Sequence, residues 1–213
     1  PPVRPGFWRG VNANQNAIYL ECFMDELAHA AGRDPLEFRL AHLKDSPKSQ
    51  AVLKAVAETS GWGSDDGKSR GLCNFYSFGS YTAACAEVTV DDDGNLKIDR
   101  IVAATDPGYA VNPQQVEAQV QGSFVYGLSA LLYGEITFED GVAQQTNFDS
   151  FNSMRISEMP KVETLVLPSG GFWGGVGEPT IAVAAPAVLN AIYAATGKRV
   201  RQLPIKDQNL RDA

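Results

Sequence analysis

The chain has 213 residues, with 18 Lys and Arg against 25 Asp and Glu for a formal net charge of −7 at pH 7. That length suits one large domain or two small ones, and 44% hydrophobic with 20% charged residues is the composition of a globular protein with a core. The acidic balance (pI ≈ 4.8) argues against a nucleic-acid partner, which needs clustered Lys and Arg to meet phosphate.

Cys22, Cys73 and Cys85 form neither a disulfide framework nor a C-x-x-C pair, so three plain thiols are expected. His29 and His42 fall on predicted helices too far apart to suggest a two-histidine metal site. No apolar run reads as a membrane span of roughly 18 residues, and no signal peptide is visible. Pro1-Pro2-Val3-Arg4-Pro5 lacks an initiator Met and passes at once into a glycine-marked motif. It reads as a piece of a longer polypeptide.

The spacing of Ile18, Cys22, Met24, Leu27, Ala28 and Ala31 predicts a helix over residues 14–31, stopped by Gly32. Asp34-Pro35 opens a second helix with Leu36, Leu40 and Leu43 on its apolar face. A third follows Ser46-Pro47 and ends at Gly61. The period then shortens to two. Strands over 86–90 and 96–102 flank Asp91-Asp92-Asp93-Gly94-Asn95, a hairpin signal. A long helix is predicted from Pro113 to about Tyr133, then a hairpin over 135–145 turning at Asp140-Gly141. A strand at 162–167 precedes a glycine-rich loop at 170–177. A helix over 182–196 and a closing strand at 200–203 complete an α+β reading. It divides into a helical segment, residues 1–61, and an α+β segment, residues 62–213.

Three motifs carry possible chemistry. Gly170-Gly171-Phe172-Trp173-Gly174-Gly175-Val176-Gly177-Glu178-Pro179 presents a carboxylate at a helix start, on a loop whose glycines allow close approach to a ligand. It lacks the Gly-Lys-Ser/Thr of a phosphate loop. Read locally, Glu178 is a first-turn helix acid. Trp8-Arg9-Gly10-Val11 followed by Asn14-Gln15-Asn16 offers fixed donors for an anionic or amide-rich ligand, or else a helix cap with Arg9 paired to a surface acid. Asp106-Pro107-Gly108 and Asn112-Pro113 read alone as turn and helix punctuation.

In this order the motifs, with Asp25-Glu26-Leu27-Ala28, Ser77-Phe78-Gly79-Ser80-Tyr81, Tyr133-Gly134-Glu135-Ile136 and Ala195-Thr196-Gly197-Lys198-Arg199, resemble one family nearly end to end. The sequence is similar to the C-terminal portion of the molybdopterin-binding large subunits of the xanthine dehydrogenase/aldehyde oxidase superfamily, above all the isoquinoline 1-oxidoreductase beta-subunit group. The resemblance implies oxidation of an aldehyde, or hydroxylation of an N-heterocycle, with oxygen derived from water. Glu178 would be the catalytic base, and molybdenum on molybdopterin, in its cytosine dinucleotide form, would supply the redox chemistry. By the same match Arg9, Gly10, Gln15 and Gly177 surround the cofactor, while Trp8, Val11 and Val176 wall the substrate pocket and no residue ligates the metal. Electrons would leave through 2Fe-2S clusters on a small partner subunit. The family's Gly-Gln-Gly cofactor loop is absent, so the remaining N-terminal part of the molybdopterin-binding subunit is expected to complete the site. Val11 stands where the family often has phenylalanine, and Phe172-Trp173 where small residues or prolines are expected. The competing reading is a non-catalytic binding or assembly module that keeps the fold.

Overall fold

The computed structural model describes residues 3, 4, 6–206 and 208–211; Pro1, Pro2 and Pro5 of the proline-rich start lie outside them. Three helices come first: α1 (Ala13–Ala30), α2 (Pro35–His42) and α3 (Pro47–Ser60). Asp34 caps α2 by accepting hydrogen bonds from Leu36 N and Glu37 N, and Gly61 ends α3 in the left-handed conformation its missing Cβ permits.

A four-stranded sheet follows, in the order β1 (Ser69–Ser77), β2 (Ser80–Val90), β3 (Leu96–Asp106), β6 (Lys161–Val166). β1–β2 and β2–β3 are antiparallel, and β3–β6 is parallel. β1 was not expected from the sequence. It is buried on both faces, so it lacks the in–out alternation that marks a half-exposed strand, and Gly71 reads locally as a breaker. The reason for Gly71 is tertiary: a Cβ there would lie 2.1 Å from Ala191 N and 2.3 Å from Ala187 O. Helix α5 (Ala184–Thr196) rests its backbone on this strand.

Alternation across the sheet separates two cores. Cys73, Ala84, Ala86, Ile101 and Ala103 face α5 and the long helix α4 (Pro113–Tyr133). Leu72, Ala83, Cys85, Val102 and Ala104 face Val52, Leu53 and Val56 of α3. The sheet is therefore covered on both sides, and burial of these side chains drives the assembly at roughly 25 cal/mol per Å² of apolar surface. Beneath α1 a buried ion pair, Arg39 Nε to Glu21 Oε2 at 2.8 Å, links α2 to the sheet, because Glu21 Oε2 also accepts from Asn74 N at 2.9 Å.

Three expectations are corrected. The 135–145 hairpin shrinks to two-residue strands, β4 (Phe138–Glu139) and β5 (Val142–Ala143), around the positive-φ pair Asp140-Gly141. Residues 200–203 form no strand. The chain after them instead bonds to the end of α4, Ile205 N to Leu131 O and Lys206 N to Leu132 O, both at 3.0 Å. Residues 179–183 form a 3-10 turn (Pro179–Val183) before α5, and the two together are 18 residues long and apolar enough to match a bilayer span. That stretch is 78% buried within the fold, which marks a core element.

Candidate active site

The glycine-rich loop after β6 is stitched onto two turns. Phe78 and Gly79 form the two-residue turn between β1 and β2, both at positive φ. The Phe78 carbonyl accepts from Gly175 N at 2.8 Å, while Ser80 Oγ donates to Gly175 O at 2.5 Å. At the end of β3, buried Asp106 accepts from Gly108 N at 2.9 Å and from Ser169 N at 3.2 Å and Ser169 Oγ at 2.5 Å. Gly170 N and Gly174 N then donate to Gly108 O and Pro107 O. The turn that read as punctuation is the anchor of the loop that carries Glu178.

Glu178 sits half-buried at the entrance to the 3-10 turn, and its side chain makes no cap bond to its own helix. It reaches instead across the fold: Oε1 accepts from Gly10 N at 2.9 Å. Among the described residues Oε2 takes no hydrogen bond. Gly10 adopts φ +87°, and a Cβ there would lie 2.4 Å from Asn14 Oδ1 and 2.5 Å from Ile181 Cγ2. Only glycine fits between the start of α1 and the turn that follows Glu178.

Arg9 is held by the same neighbourhood. Its Nε donates to Gly177 O at 2.6 Å, and Nη2 donates to Ser123 Oγ at 2.8 Å and Gln119 Oε1 at 3.0 Å. None of these partners is an acid. Burial lowers the guanidinium below its ordinary pKa, with Glu178 and then Tyr126 opposing; it stays a cation at neutral pH. Arg9, Gly10, Gly177 and Glu178 thus come together from sequence positions 168 apart. Gln119 and Ser123 were missed; the available signal was their i, i+4 spacing, which puts two polar side chains on one line of α4.

The other expected residues divide. Trp8 stacks on Tyr126 with ring centroids 4.7 Å apart, at the mouth of an apolar cavity of ≈ 540 Å³ that Tyr126, Phe148, Phe151 and Met154 also line. Val11 is exposed at φ +47°, and Val176 packs partly against the core. Gln15 stands exposed in the first turn of α1, outside the Arg9–Glu178 hydrogen bonds; Asn14 takes the local role, its Nδ2 donating to Arg9 O at 2.7 Å. Phe172 and Trp173 do not shield Glu178. The Phe172 ring lies over Gly79, and Trp173 stacks on Tyr109, both largely exposed. The cysteines are free, and burial pushes Cys22 up to about 12 and Cys85 to about 11.

Residues 14–160 match the family model described as "Molybdopterin cofactor-binding domain". The chain belongs to that family. It is 34% identical to a subunit of the nicotinate dehydrogenase of Pseudomonas putida, over all of this chain and 20% of that protein. It is 31% identical to the beta subunit of the isoquinoline 1-oxidoreductase of Brevundimonas diminuta, over 94% of this chain and 26% of that protein. The chain therefore spans a fifth to a quarter of the length of these relatives. The fold is that of the aldehyde oxidoreductase from Desulfovibrio gigas, with TM-score 0.72 and 17% identity over 96% of this chain and 41% of that one. The family and these relatives place the chain in the xanthine dehydrogenase/aldehyde oxidase superfamily.

The donor set fits molybdopterin. A metal held by its own organic ligand asks the protein for anion-recognising donors and close backbone rather than a ligand cage. The described residues contain no group of three His, Cys, Asp or Glu placed to hold a metal. They do offer a cationic fork, Arg9, between the glycines at 10 and 177. Beside Gly10, Asn14 Oδ1 is buried without a hydrogen-bond partner among the described residues, an acceptor left for a further group.

Proposed function

We propose that this chain carries the base side of a molybdenum hydroxylase site, one that oxidises an aldehyde or hydroxylates an N-heterocycle. The single observation that carries the reading is the Gly10 N–H on Glu178 Oε1, which fixes the carboxylate beside Arg9 and leaves Oε2 free. A carboxylate tied by one oxygen and open at the other has the geometry of a general base: it accepts a proton without losing its place. The cofactor, when bound, supplies the redox chemistry and the water-derived oxygen. Arg9, Gly10 and Gly177 hold it, Gln15 standing at the same edge. Trp8, Val11 and Val176 wall the substrate side. Glu178 takes the proton at Oε2.

The cofactor is proposed in its cytosine dinucleotide form, with electrons leaving through 2Fe-2S clusters on a small partner subunit. The rest of the molybdopterin-binding subunit would close the site. That part of the reading is supported by α1, where Tyr19, Leu20, Phe23 and Leu27 leave large apolar side chains exposed on adjoining turns. Such a patch calls for a covering surface.

Glu178→Gln is the direct test. The amide keeps an oxygen for Gly10 N but cannot take the proton. Turnover per molybdenum should fall at least ~100-fold, in line with the worth of a general base, with metal and pterin content unchanged. A variant that turns over like the parent would end the base assignment. Molybdenum absent from the purified assembly would end the enzyme reading.

A further inference from the structure

Glu178 takes its hydrogen bond from a backbone N–H, so what fixes Gly10 fixes the carboxylate. Gly10 follows Arg9, and Gly177, which accepts the Arg9 Nε proton at 2.6 Å, directly precedes Glu178. The Arg9 side chain is therefore one arm of a closed ring that runs through Gly177, Glu178 and Gly10 back to Arg9. What sets the other edge of its guanidinium is on α4. Ser123 is fully buried there, and its hydroxyl donates to Gln119 O at 2.9 Å, in the i−4 manner of a helical serine. With the proton committed, a lone pair faces Arg9 Nη2 at 2.8 Å, shorter than either bond from Nη2 to Gln119 (3.0 and 3.2 Å).

We propose that Ser123 is a positioning residue for Glu178, acting through the Arg9 guanidinium. One turn further along α4, Gly127 lets the helix close onto the segment after Glu178: a Cβ there would sit 2.8 Å from Ala184 Cβ and 3.1 Å from Ile181 Cγ1. α4 is thus the common reference for both strands of the site. Gly127 seats the turn that carries Glu178, and Ser123 sets the plane of the arginine that reaches it. Serine is a weaker helix former than alanine, and Ser123 is a polar residue among the buried positions of α4, with Val116, Val120, Phe124 and Leu128. The hydroxyl is explained by Arg9, not by the helix.

The inference rests on Glu178 being the base, and the test separates the two. In the molybdenum-loaded enzyme, Ser123→Ala should lower kcat about tenfold, because displacements of ~1 Å in a catalytic group cost up to ~100-fold. KM, molybdenum content and Tm should hold, since alanine suits the helix and Gln119 still retains Arg9. A merely structural serine would do the reverse, lowering Tm and sparing turnover. Ser123→Thr keeps the hydroxyl and should recover most of kcat. Wild-type kcat per molybdenum in Ser123→Ala overturns the proposal, as does a folded Thr variant as slow as the Ala one; if the Thr variant does not fold, the Ala result decides alone. A slow Glu178→Gln beside an unaffected Ser123→Ala removes the role of Ser123 and leaves the base in place.

Discussion

Replacing Gly71 with alanine tests the tightest contact between sheet and helix. The added methyl would lie 2.1 Å from Ala191 N and 2.3 Å from Ala187 O, which are the donor and acceptor of one i→i−4 position in α5. Van der Waals contact needs about 3.5 Å, so α5 must retreat by on the order of 1 Å or surrender that hydrogen bond. Neither atom is the tip of a flexible side chain. Overpacking of a filled core costs about 1–3 kcal/mol, and a clash with buried helix backbone belongs at the upper end. For a unit of this size, about 3 kcal/mol corresponds to a Tm lower by about 6–12 °C. Differential scanning calorimetry of Gly71→Ala against the parent reads this directly. Gly6→Ala, where a Cβ would meet nothing within 4 Å, is the matched control and should move Tm by under about 1 °C. A Gly71→Ala protein as stable as its parent would refute the account of why β1 carries glycine.

Three further outcomes follow from buried and paired charges. Glu21→Ala leaves Arg39, 1% exposed, without its closest carboxylate; Asp25 at 3.7 Å and the carbonyls of Pro35 and residue 21 remain, and unfolding in urea should show a loss of about 3 kcal/mol. Arg100, and then Lys161, hold the Glu163 carboxyl down to about 2 from its ordinary 4.5. A depressed folded pKa means the stabilisation is complete above about 4.5 and disappears as pH falls toward 2. The stability gap between parent and Glu163→Gln should therefore narrow over that window in pH-dependent denaturation. Because burial pushes the thiols of Cys22, Cys73 and Cys85 upward, native protein at neutral pH should leave all three unalkylated in peptide mapping, while denatured protein labels them; labelling of Cys73 in native protein would contradict its burial under α5.

Helices were the most legible part of the fold, because their punctuation is local. Asp34-Pro35, Pro47 with Gly61, and Asn112-Pro113 each sit at the end of a helix within a residue of expectation. The Asp91–Asn95 turn was equally clear, since Asp91 satisfies Asp93 N and Asn95 N by itself. β1 was not visible, because a strand buried on both faces has no alternation and its glycine is justified only by α5. Residues 200–203 looked like a strand from composition, yet the sheet already ends at β1 and β6 and the chain bonds to α4 instead. In the site, Glu178 and Arg9 were named from their motifs, whereas Gln119 and Ser123 were not. Their hydrogen bonds to Arg9 span 110 and 114 residues, a separation no local pattern records.

The sequence by itself determined the chemistry on offer: an acid at the end of a glycine loop, an arginine before an amide-rich helix, and an order of motifs that resembles a molybdopterin-binding subunit. Side-chain type and backbone licence are properties of single residues and short segments, so they can be read in line. Only the tertiary structure decided that Glu178 serves Gly10 and not its own helix, and that Asp106 pins the loop. It also decided that Phe172 and Trp173 turn away to Gly79 and Tyr109. Those are matters of which surfaces meet, and they depend on the close approach that Gly10, Gly71 and Gly127 allow between elements distant in the chain.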